Sequence, residues 1–367
     1  MENLIFLLLF LLSIININIK GMNNFHNDYM ELKNTNSIKG VFVWMIILSH
    51  YNSYYKKKEK LLYKIILSCF GQKIVSLFLF YSGFGIYESI KNKGNKYIPT
   101  LIKKAMILFI KTQIILFLFL LNNIYLGIKI KLKNYLLSMV FKKSIGNSNW
   151  FAFTIITFYF YSFIAFIFIK KNFYFLGIIF ITILCLFHIY FVYTYFYPNA
   201  GYTIDNTLCF NVGFYYSLLI NNLNRIIMKN DIYYFTFLSF FIAFYYYFYI
   251  YKIRFIWINL ITNCFFSLVV ILISMKIRLN NEFLNLLNSH SYSIYLLQRI
   301  VMIFIYFKQY FKNNDLIRFF FEFIVILLIS SIFDRYTFFI DNYFLKKTKK
   351  NLFKDEEQKR ILVLDKH

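Results

Sequence analysis

The chain has 367 residues, of which 60% are hydrophobic and 16% charged, and its mean hydropathy is +0.57. This composition excludes a soluble globular protein, whose surface would carry more charge. The net charge of +25 does not indicate nucleic-acid binding, because the basic residues lie mainly between apolar stretches, where lysines set the topology of membrane proteins. We therefore predict an all-α, polytopic transmembrane helical bundle in a lipid bilayer, with no nucleic-acid partner.

Apolar stretches of about twenty residues recur along the chain, and each is long enough to cross a hydrocarbon core of ~30 Å. They predict about eleven membrane helices, near Leu4–Ile19, Lys39–Tyr55, Gln72–Ile90, Lys104–Leu121, Trp150–Ile169, Phe173–Thr194, Ile204–Ile220, Ile232–Ile250, Phe255–Met275, Ser291–Phe307 and Leu316–Ile340.

The first apolar segment has the length of a signal peptide but lacks its other features. Residues 1–3 carry no positive charge, and the sequence ININIKG offers no small-residue cleavage site. We therefore predict a retained N-terminal hydrophobic helix and linker over residues 1–35. A membrane domain then covers residues 36–340, and a charged cytoplasmic tail covers residues 341–367.

The positions of the lysines and arginines predict the orientation of the bundle. The connection Tyr195–Thr203 contains neither residue and is therefore expected outside, while the lysine-rich segment Lys91–Lys104 is expected inside. Lys39 then lies at the inner surface and His50 points toward the outer leaflet. The run Lys56–Lys60 is an exception to this arrangement.

Lys39 and His50 are the strongest candidates for catalytic residues. They are eleven residues apart in an otherwise apolar segment, which makes about three helical turns and places both on one face, about 16 Å apart. An ionisable residue inside a membrane helix marks a functional site by default. A histidine can also act as a general base on a hydroxyl group, although His50 could instead be an interfacial residue that reaches water.

Ser82 and Gly83 belong to the sequence YSGFG, which closes an apolar helix. Glycines let two helices approach closely, so helix packing is one interpretation of this motif. The other interpretation is the wall of a substrate groove, with Ser82 forming a hydrogen bond to the ligand. Glu88 lies near the following basic loop, and we expect it to form an ion pair there.

Lys103 and Lys104 form the candidate cofactor site. Pro99 precedes them and suits the first turn of a new helix. The two lysines would enter the membrane at its inner face, where they either anchor the helix or attract the phosphates of a coenzyme.

Two further pairs are candidates for lining the same groove. Trp150 opens the fifth apolar segment and Tyr159 lies about 2.5 turns further on, although a tryptophan at this position is often an interfacial belt residue. Ser291 and Tyr292 open the tenth segment, which carries Gln298 and Arg299 deeper inside. Two polar residues within an apolar helix indicate a lined cavity or the interior of the bundle.

No metal site is predicted. The four cysteines lack CxxC spacing, so we interpret them as small core residues rather than as metal ligands or a disulfide framework; they are Cys69, Cys185, Cys209 and Cys264.

Taken together, these stretches resemble the acyltransferase 3 family of integral-membrane acyltransferases over residues 36–340. The segment from Lys39 to His50 is similar to the family's opening signature of a basic residue, ten further residues and a histidine. The chain departs from the family at Lys104, where arginine is usual, and at Asn211, where a related subgroup tends to have proline. The remaining stretches that carry the resemblance are Ser82-Gly83-Phe84, Tyr97 with Lys103-Lys104, Asn149-Trp150-Phe151 with Tyr159, Thr207 to Phe210 with Gly213, and Ser291 to Gln298.

The resemblance implies a ten-helix core, to which the N-terminal helix is an addition, in a bacterial plasma membrane. It also implies transfer of an acyl group, most often acetyl, from cytosolic acyl-CoA to a hydroxyl of a surface polysaccharide, a lipid-linked oligosaccharide or peptidoglycan. Lys39, Lys103 and Lys104 would then hold the coenzyme phosphates. His50 would deprotonate the acceptor or carry the acyl group transiently, and the sequence does not choose between these two routes.

A transporter or flippase for a glycolipid or polysaccharide is the alternative function. Transporters often contain inverted repeats whose helices are interrupted by glycine or proline at matched positions. Here Pro99 and Pro198 lie outside the apolar centres, and the chain shows no internal repeat of domain length. The sequence therefore favours the acyltransferase.

Overall fold

The computed structural model describes residues 2–55, 73–196, 204–251 and 256–364. Cys69, the run Lys56–Lys60 and most of the connection Tyr195–Thr203 lie outside these ranges. Within them the chain forms thirteen α-helices, which are α1 (Glu2–Ile14), α2 (Leu32–Tyr55), α3 (Lys73–Lys93), α4 (Ile98–Tyr125), α5 (Leu132–Met139), α6 (Asn149–Ile167), α7 (Tyr174–Phe196), α8 (Thr207–Ile227), α9 (Asp231–Tyr251), α10 (Ile256–Lys276), α11 (Glu282–Ser289), α12 (Ser291–Lys308) and α13 (Asp315–Leu364).

The fold is an all-α polytopic helical bundle, as the composition predicts. In the described ranges, six helices are long and apolar enough to cross a membrane: α4, α6, α7, α9, α10 and α13. Helices α2, α3, α8 and α12 have 18 to 24 residues and carry polar side chains that face the interior. Ser37, Ser76 and Asn211 are examples, and all three are buried. These more polar helices therefore supply the inside of the bundle.

The N-terminal helix is shorter than predicted. Helix α1 ends at Ile14, whereas the apolar pattern predicted a helix to Ile19. Asn16 adopts a left-handed conformation with φ 61°, and residues Ile17–Ile19 form strand β1. At 1.5 Å per residue the thirteen residues of α1 span about 20 Å, which is less than a hydrocarbon core of ~30 Å.

Strand β1 joins the N-terminal linker to a part of the membrane domain that is distant in the sequence. It pairs antiparallel with β2 (Ile277–Leu279), which continues directly from α10. The Ser13 hydroxyl also accepts a hydrogen bond of 2.9 Å from the Trp44 indole, within α2. The N-terminal segment is thus built into the bundle, although its sequence gave no sign of a strand.

Two short helices were not among the predicted elements, and the last helix is longer than its apolar segment. Helices α5 and α11 have eight residues each, too few for the apolar pattern to reveal. The Asn281 side chain caps α11 by accepting hydrogen bonds from the backbone amides of Phe283 and Leu284. Helix α13 continues through the charged tail to Leu364. Pro99 lies in the first turn of α4, as predicted.

Two glycines bring α3 and α8 into close contact. A Cβ atom at Gly83 would overlap the carbonyl oxygen of Phe210, and a Cβ atom at Gly213 would overlap that of Phe80. Each helix therefore presents a glycine to the backbone of the other, which allows close approach. We call this contact the α3–α8 seam.

Several basic connections lie together at one end of the bundle. The Lys91 ammonium, near the end of α3, donates a hydrogen bond of 2.9 Å to the carbonyl of Ser217, midway along α8. The Tyr174 hydroxyl, which follows Lys171, donates one of 2.9 Å to Asn95. We call this the basic end, and the positive-inside rule predicts that it faces the cytoplasm.

Candidate functional site

A cavity of about 510 Å³ lies between helices α2, α3, α4, α6 and α12. This volume is within the ~300–1,000 Å³ that small-molecule sites usually occupy. Its wall is formed by Leu32, Lys39, Val43, Ile46, Val75, Phe78, Tyr81, Ser82, Gly85, Ile86, Ser89, Tyr97, Lys104, Leu108, Phe151, Ile155, Tyr159, Asn288, Ser291, Tyr292, Ile294 and Tyr295.

The cavity extends from the basic end into the middle of the bundle. Along α2 it reaches from Leu32 to Ile46, and along α3 from Ser89 to Val75, a rise of about 21 Å on each helix. Leu32 is 76% exposed, so the cavity opens to the surface at the basic end. A solute could enter from that side and reach the bundle interior.

Two lysines supply the charge of the cavity wall. Lys39 lies on α2 and Lys104 on α4, and the described lining contains no aspartate or glutamate. The Lys39 ammonium contacts the Asn36 amide oxygen at 3.4 Å and lies 5.4 Å from the centre of the Tyr81 ring. The Lys104 ammonium donates a hydrogen bond of 2.9 Å to the Tyr97 hydroxyl. With two cations and no carboxylate, the lining suits an anionic ligand.

Hydroxyl groups make up much of the remaining polar lining. The predicted groove residues Ser82, Tyr159, Ser291 and Tyr292 all line the cavity. The Tyr292 hydroxyl lies 2.7 Å from that of Thr112, so the fold already satisfies it. The structure thus brings together six of the ten predicted site residues, counting Lys39 and Lys104 with these four.

Three predicted residues lie elsewhere. Gly83 faces the α3–α8 seam instead of the cavity, because successive residues of a helix point about 100° apart. Trp150 packs at the start of α6, where Phe151 lines the cavity in its place. Lys103 is not part of the lining, and its neighbour Lys104 alone contributes a charge from α4. The cavity lining therefore contains none of these three residues, and their groove and cofactor roles stay predictions.

His50 lies one turn beyond the cavity. On α2 the lining residues Lys39, Val43 and Ile46 form one stripe, and His50 continues that stripe four residues after Ile46. It therefore shares a face with Lys39, as the eleven-residue spacing predicts, but the cavity wall stops before reaching it. The half-buried His50 lies close enough to interact electrostatically with Arg299, which is one turn beyond Tyr295 on α12.

The sequence did not single out several residues of the site. Phe78, Gly85 and Ser89 line the cavity together with Ser82, at intervals of three or four residues that follow one face of α3. This spacing is visible in the sequence, but the sequence does not indicate which face of α3 lines a cavity and which packs against another helix. The buried Tyr81 hydroxyl has no hydrogen-bond partner among the described residues, and only the packed structure reveals it.

Ion pairs outside the cavity hold the surrounding helices. The predicted ion pair of Glu88 is confirmed, because its carboxylate lies 2.5 Å from the Lys91 ammonium. Near the start of α12, the His290 ring lies 2.6 Å from the Asp334 carboxylate, which also accepts a hydrogen bond from Ser293. Asp334 therefore contacts His290 and Ser293, the residues on either side of the lining residues Ser291 and Tyr292.

The described residues contain no group of three or more histidine, cysteine, aspartate or glutamate side chains that could hold a metal ion. Cys209 and Cys264 approach each other, with sulfur atoms 3.7 Å apart, between α8 and α10.

The fold and the cavity define a polytopic helical membrane protein with a basic internal cavity. The family model described as an acyltransferase domain matches residues 32–335, which is most of the chain. The chain belongs to the acyltransferase 3 family. No curated protein and no solved structure matches it significantly.

Proposed function

We propose that the protein is a membrane-bound O-acyltransferase that moves an acetyl group from cytosolic acetyl-CoA to a hydroxyl of a cell-surface or exported carbohydrate. In this reaction the thioester carbon–sulfur bond breaks, an ester carbon–oxygen bond forms, and the hydroxyl proton passes to the coenzyme thiol. The observation that carries the proposal is the cavity that opens at the basic end, contains Lys39 and Lys104, and runs toward His50.

The coenzyme would enter at the basic end with its phosphates near the mouth. The Lys39 and Lys104 ammonium groups lie on different helices and line the same space, so they could hold the anionic part of one molecule. The cavity continues toward the apolar residues Val43, Ile46 and Ile155, where a pantetheine arm could extend. This direction would carry the thioester toward His50.

His50 would act on the acceptor hydroxyl from the other side. A histidine has an ordinary pKa near neutrality, which suits removal of a hydroxyl proton or transient attachment of the acyl group. Its position one turn beyond the cavity is compatible with a donor and an acceptor that approach from opposite ends. The acceptor would be a surface polysaccharide, a lipid-linked oligosaccharide or peptidoglycan, at a bacterial plasma membrane.

The test uses the purified full chain in lipid nanodiscs and cells that express it. We expect the wild type to bind acetyl-CoA, and its expression to add the mass of one acetyl group per modified sugar unit to surface glycans. His50→Ala should abolish the glycan modification and keep the affinity for acetyl-CoA, because the ring lies outside the cavity lining. Unchanged glycan modification in this variant would refute the catalytic assignment.

The same cells distinguish the acyltransferase from the alternative function, a transporter or flippase. A transporter would move a glycolipid or polysaccharide without consuming acetyl-CoA. Flux of glycan across the membrane with no acetyl-CoA binding and no change in glycan mass would therefore reject the acyltransferase proposal.

A further inference from the structure

A second group of polar side chains lies beyond the cavity, at the end opposite the basic end. His50 and Tyr54 on α2, Arg299 on α12 and Glu322 on α13 lie there. The Arg299 guanidinium carbon lies 5.8 Å from the centre of the Tyr54 ring, and its charge acts on His50. Tyr54 lies within electrostatic range of Glu322. We call these four polar groups, which come from three helices, the outer cluster.

The outer cluster contains unused hydrogen-bonding capacity. Glu322 is 1% exposed, and one of its carboxyl oxygens accepts a hydrogen bond of 2.5 Å from Tyr55. Its other oxygen, Oε2, is buried and has no hydrogen-bond partner among the described residues. The same holds for Arg299 Nε and Asn52 Nδ2, which are donors. Buried polar groups are normally satisfied, so this unpaired acceptor and these two unpaired donors call for an explanation.

An internal ion pair does not account for Glu322. Arg318 lies one turn before it on α13, and its guanidinium is engaged by the Asp315 carboxylate and by the Tyr51 hydroxyl at 3.1 Å. Its guanidinium carbon lies 3.8 Å from the centre of the Tyr55 ring. Among the described residues, no lysine, arginine or histidine forms an ion pair with Glu322.

We infer that the outer cluster binds the acceptor, and that Glu322 and Arg299 hold neighbouring hydroxyl groups of a sugar beside His50. This inference rests on the proposed function and names the acceptor site. A hydroxyl both donates and accepts a hydrogen bond. Glu322 Oε2 can accept from one hydroxyl and Arg299 Nε can donate to the next, so an uncharged polyol complements the pair. A carboxyl group this deep in a membrane helix is costly unless it has such a use.

The arrangement also separates the two substrates in space. The cavity lining ends at Ile46 on α2 and at Tyr295 on α12, and the next turn of each helix carries His50 and Arg299. Donor and acceptor would therefore meet at His50 from opposite ends. Ser53 is exposed, so the outer cluster lies just beneath the surface at that end of the bundle.

The test substitutes Glu322→Gln, which keeps the shape of the side chain and an oxygen for Tyr55 but replaces the unpaired acceptor with a donor. Arg299→Gln is the second variant, on a different helix. The matched control is Glu88→Gln, because the Glu88 carboxylate is already bound by Lys91 and by the Ser217 hydroxyl at 2.7 Å. Measurements are the acetyl content of surface glycans in expressing cells, and acetyl-CoA affinity and thermal unfolding of the purified chain in nanodiscs.

We expect both outer-cluster variants to lower glycan acetylation by about tenfold or more, the effect of losing a hydrogen bond to a charged group in a buried site. Their acetyl-CoA affinity and unfolding temperature should stay at the wild-type values. Glu88→Gln should leave glycan acetylation and acetyl-CoA affinity unchanged and lower the unfolding temperature only slightly, because its ion pair with Lys91 is partly exposed. Wild-type acetylation in Glu322→Gln would overturn the inference, and so would a parallel loss of acetyl-CoA binding, which indicates a structural role. A wild type that neither binds acetyl-CoA nor modifies glycans would instead reject the proposed function.

Discussion

The two faces of helix α3 have different surroundings, although residues of both faces belong to the same short sequence. One face carries Gly83 and is closed against the backbone of α8, while the other carries Ser82, Gly85 and Ser89 and lines the cavity. A Cβ atom at Gly85 would meet nothing within 4 Å. Two glycines separated by one residue therefore have opposite roles: one permits helix contact and the other leaves space. A motif of small residues does not by itself reveal which role each glycine has.

The largest effect should come from adding one methyl group at the seam. Gly83→Ala would force the Phe210 carbonyl away and separate α3 from α8. The added Cβ atom and the carbonyl oxygen are both fixed in place by the backbone, so neither can rotate aside. We expect a loss of stability of about 3 kcal/mol, the upper end for overpacked sites, together with a lower yield of folded protein. Thermal unfolding of the purified chain in detergent measures this.

Gly85→Ala is the matched control for that experiment. It makes the same chemical change two residues away, on the face where the added methyl group meets no neighbour. Its unfolding temperature should equal that of the wild type. Equal destabilisation by both variants would show that the two faces do not differ as described.

The next prediction tests the charge of the cavity face. Lys39→Ala and Lys104→Ala should each weaken acetyl-CoA binding by about tenfold, because each removes a charge-assisted contact to phosphate. Lys103→Ala removes the same charge from the adjacent position on α4, outside the cavity lining, and should leave the affinity unchanged. Isothermal titration of nanodisc samples measures all three. An equal loss for Lys103→Ala would mean that general basic charge, and not the lining, attracts the coenzyme.

The sequence revealed the cavity face of α2 more clearly than that of α3. Lys39 and His50 are rare ionisable residues in an apolar helix, so their spacing alone indicated a shared face, and the stripe through Val43 and Ile46 agrees with it. On α3 the small residues are compatible with both packing and lining. Only the position of α8 decides between them, and helix pairing is a long-range property.

The remaining differences have similar physical causes. Helix α1 ends at Ile14, just before Asn16, which adopts φ 61° without a glycine or proline to mark the position. Glu322 was not singled out, although an acidic residue within an apolar helix is itself a signal of function. Its hydrogen-bond partner Tyr55 comes from another part of the chain. Pairing across 267 residues, as between Tyr55 and Glu322, leaves no local pattern.

The linker before α2 connects the two faces of α3. The Tyr29 hydroxyl lies 2.7 Å from that of Tyr216, whose ring packs against Phe80 at the seam, and three residues later Leu32 forms the mouth of the cavity. Asp28 anchors this linker through an ion pair with Arg278 on β2. Whether the linker supports the seam or shapes the mouth can be tested at this ion pair.

The smallest predicted effect concerns this anchor. Burial tends to raise the pKa of Asp28, but a hydrogen bond from Asn34 and the charge of Arg278 outweigh it, so the pKa lies below its ordinary value. A carboxylate with a lowered pKa in the folded state contributes stability above its ordinary pKa, and this contribution is lost as the pH falls through the folded pKa. Because the ion pair is partly exposed, Asp28→Asn should lower the unfolding temperature at pH 7 by at most about 2 °C.

The affinity for acetyl-CoA and the unfolding temperature of Asp28→Asn together separate the two roles of the linker. In the wild type the small contribution of Asp28 should disappear at acid pH, so the wild type and Asp28→Asn should unfold at the same temperature there. At pH 7, a linker that shapes the mouth would give Asp28→Asn a weaker affinity for acetyl-CoA with little change in unfolding. A linker that supports the seam would give the reverse, because the hydroxyl contact between Tyr29 and Tyr216 would loosen first. Leu32 at the mouth is close to Asp28 along the chain, whereas Tyr216 lies on the distant helix α8. We therefore expect the affinity for acetyl-CoA to change more than the stability.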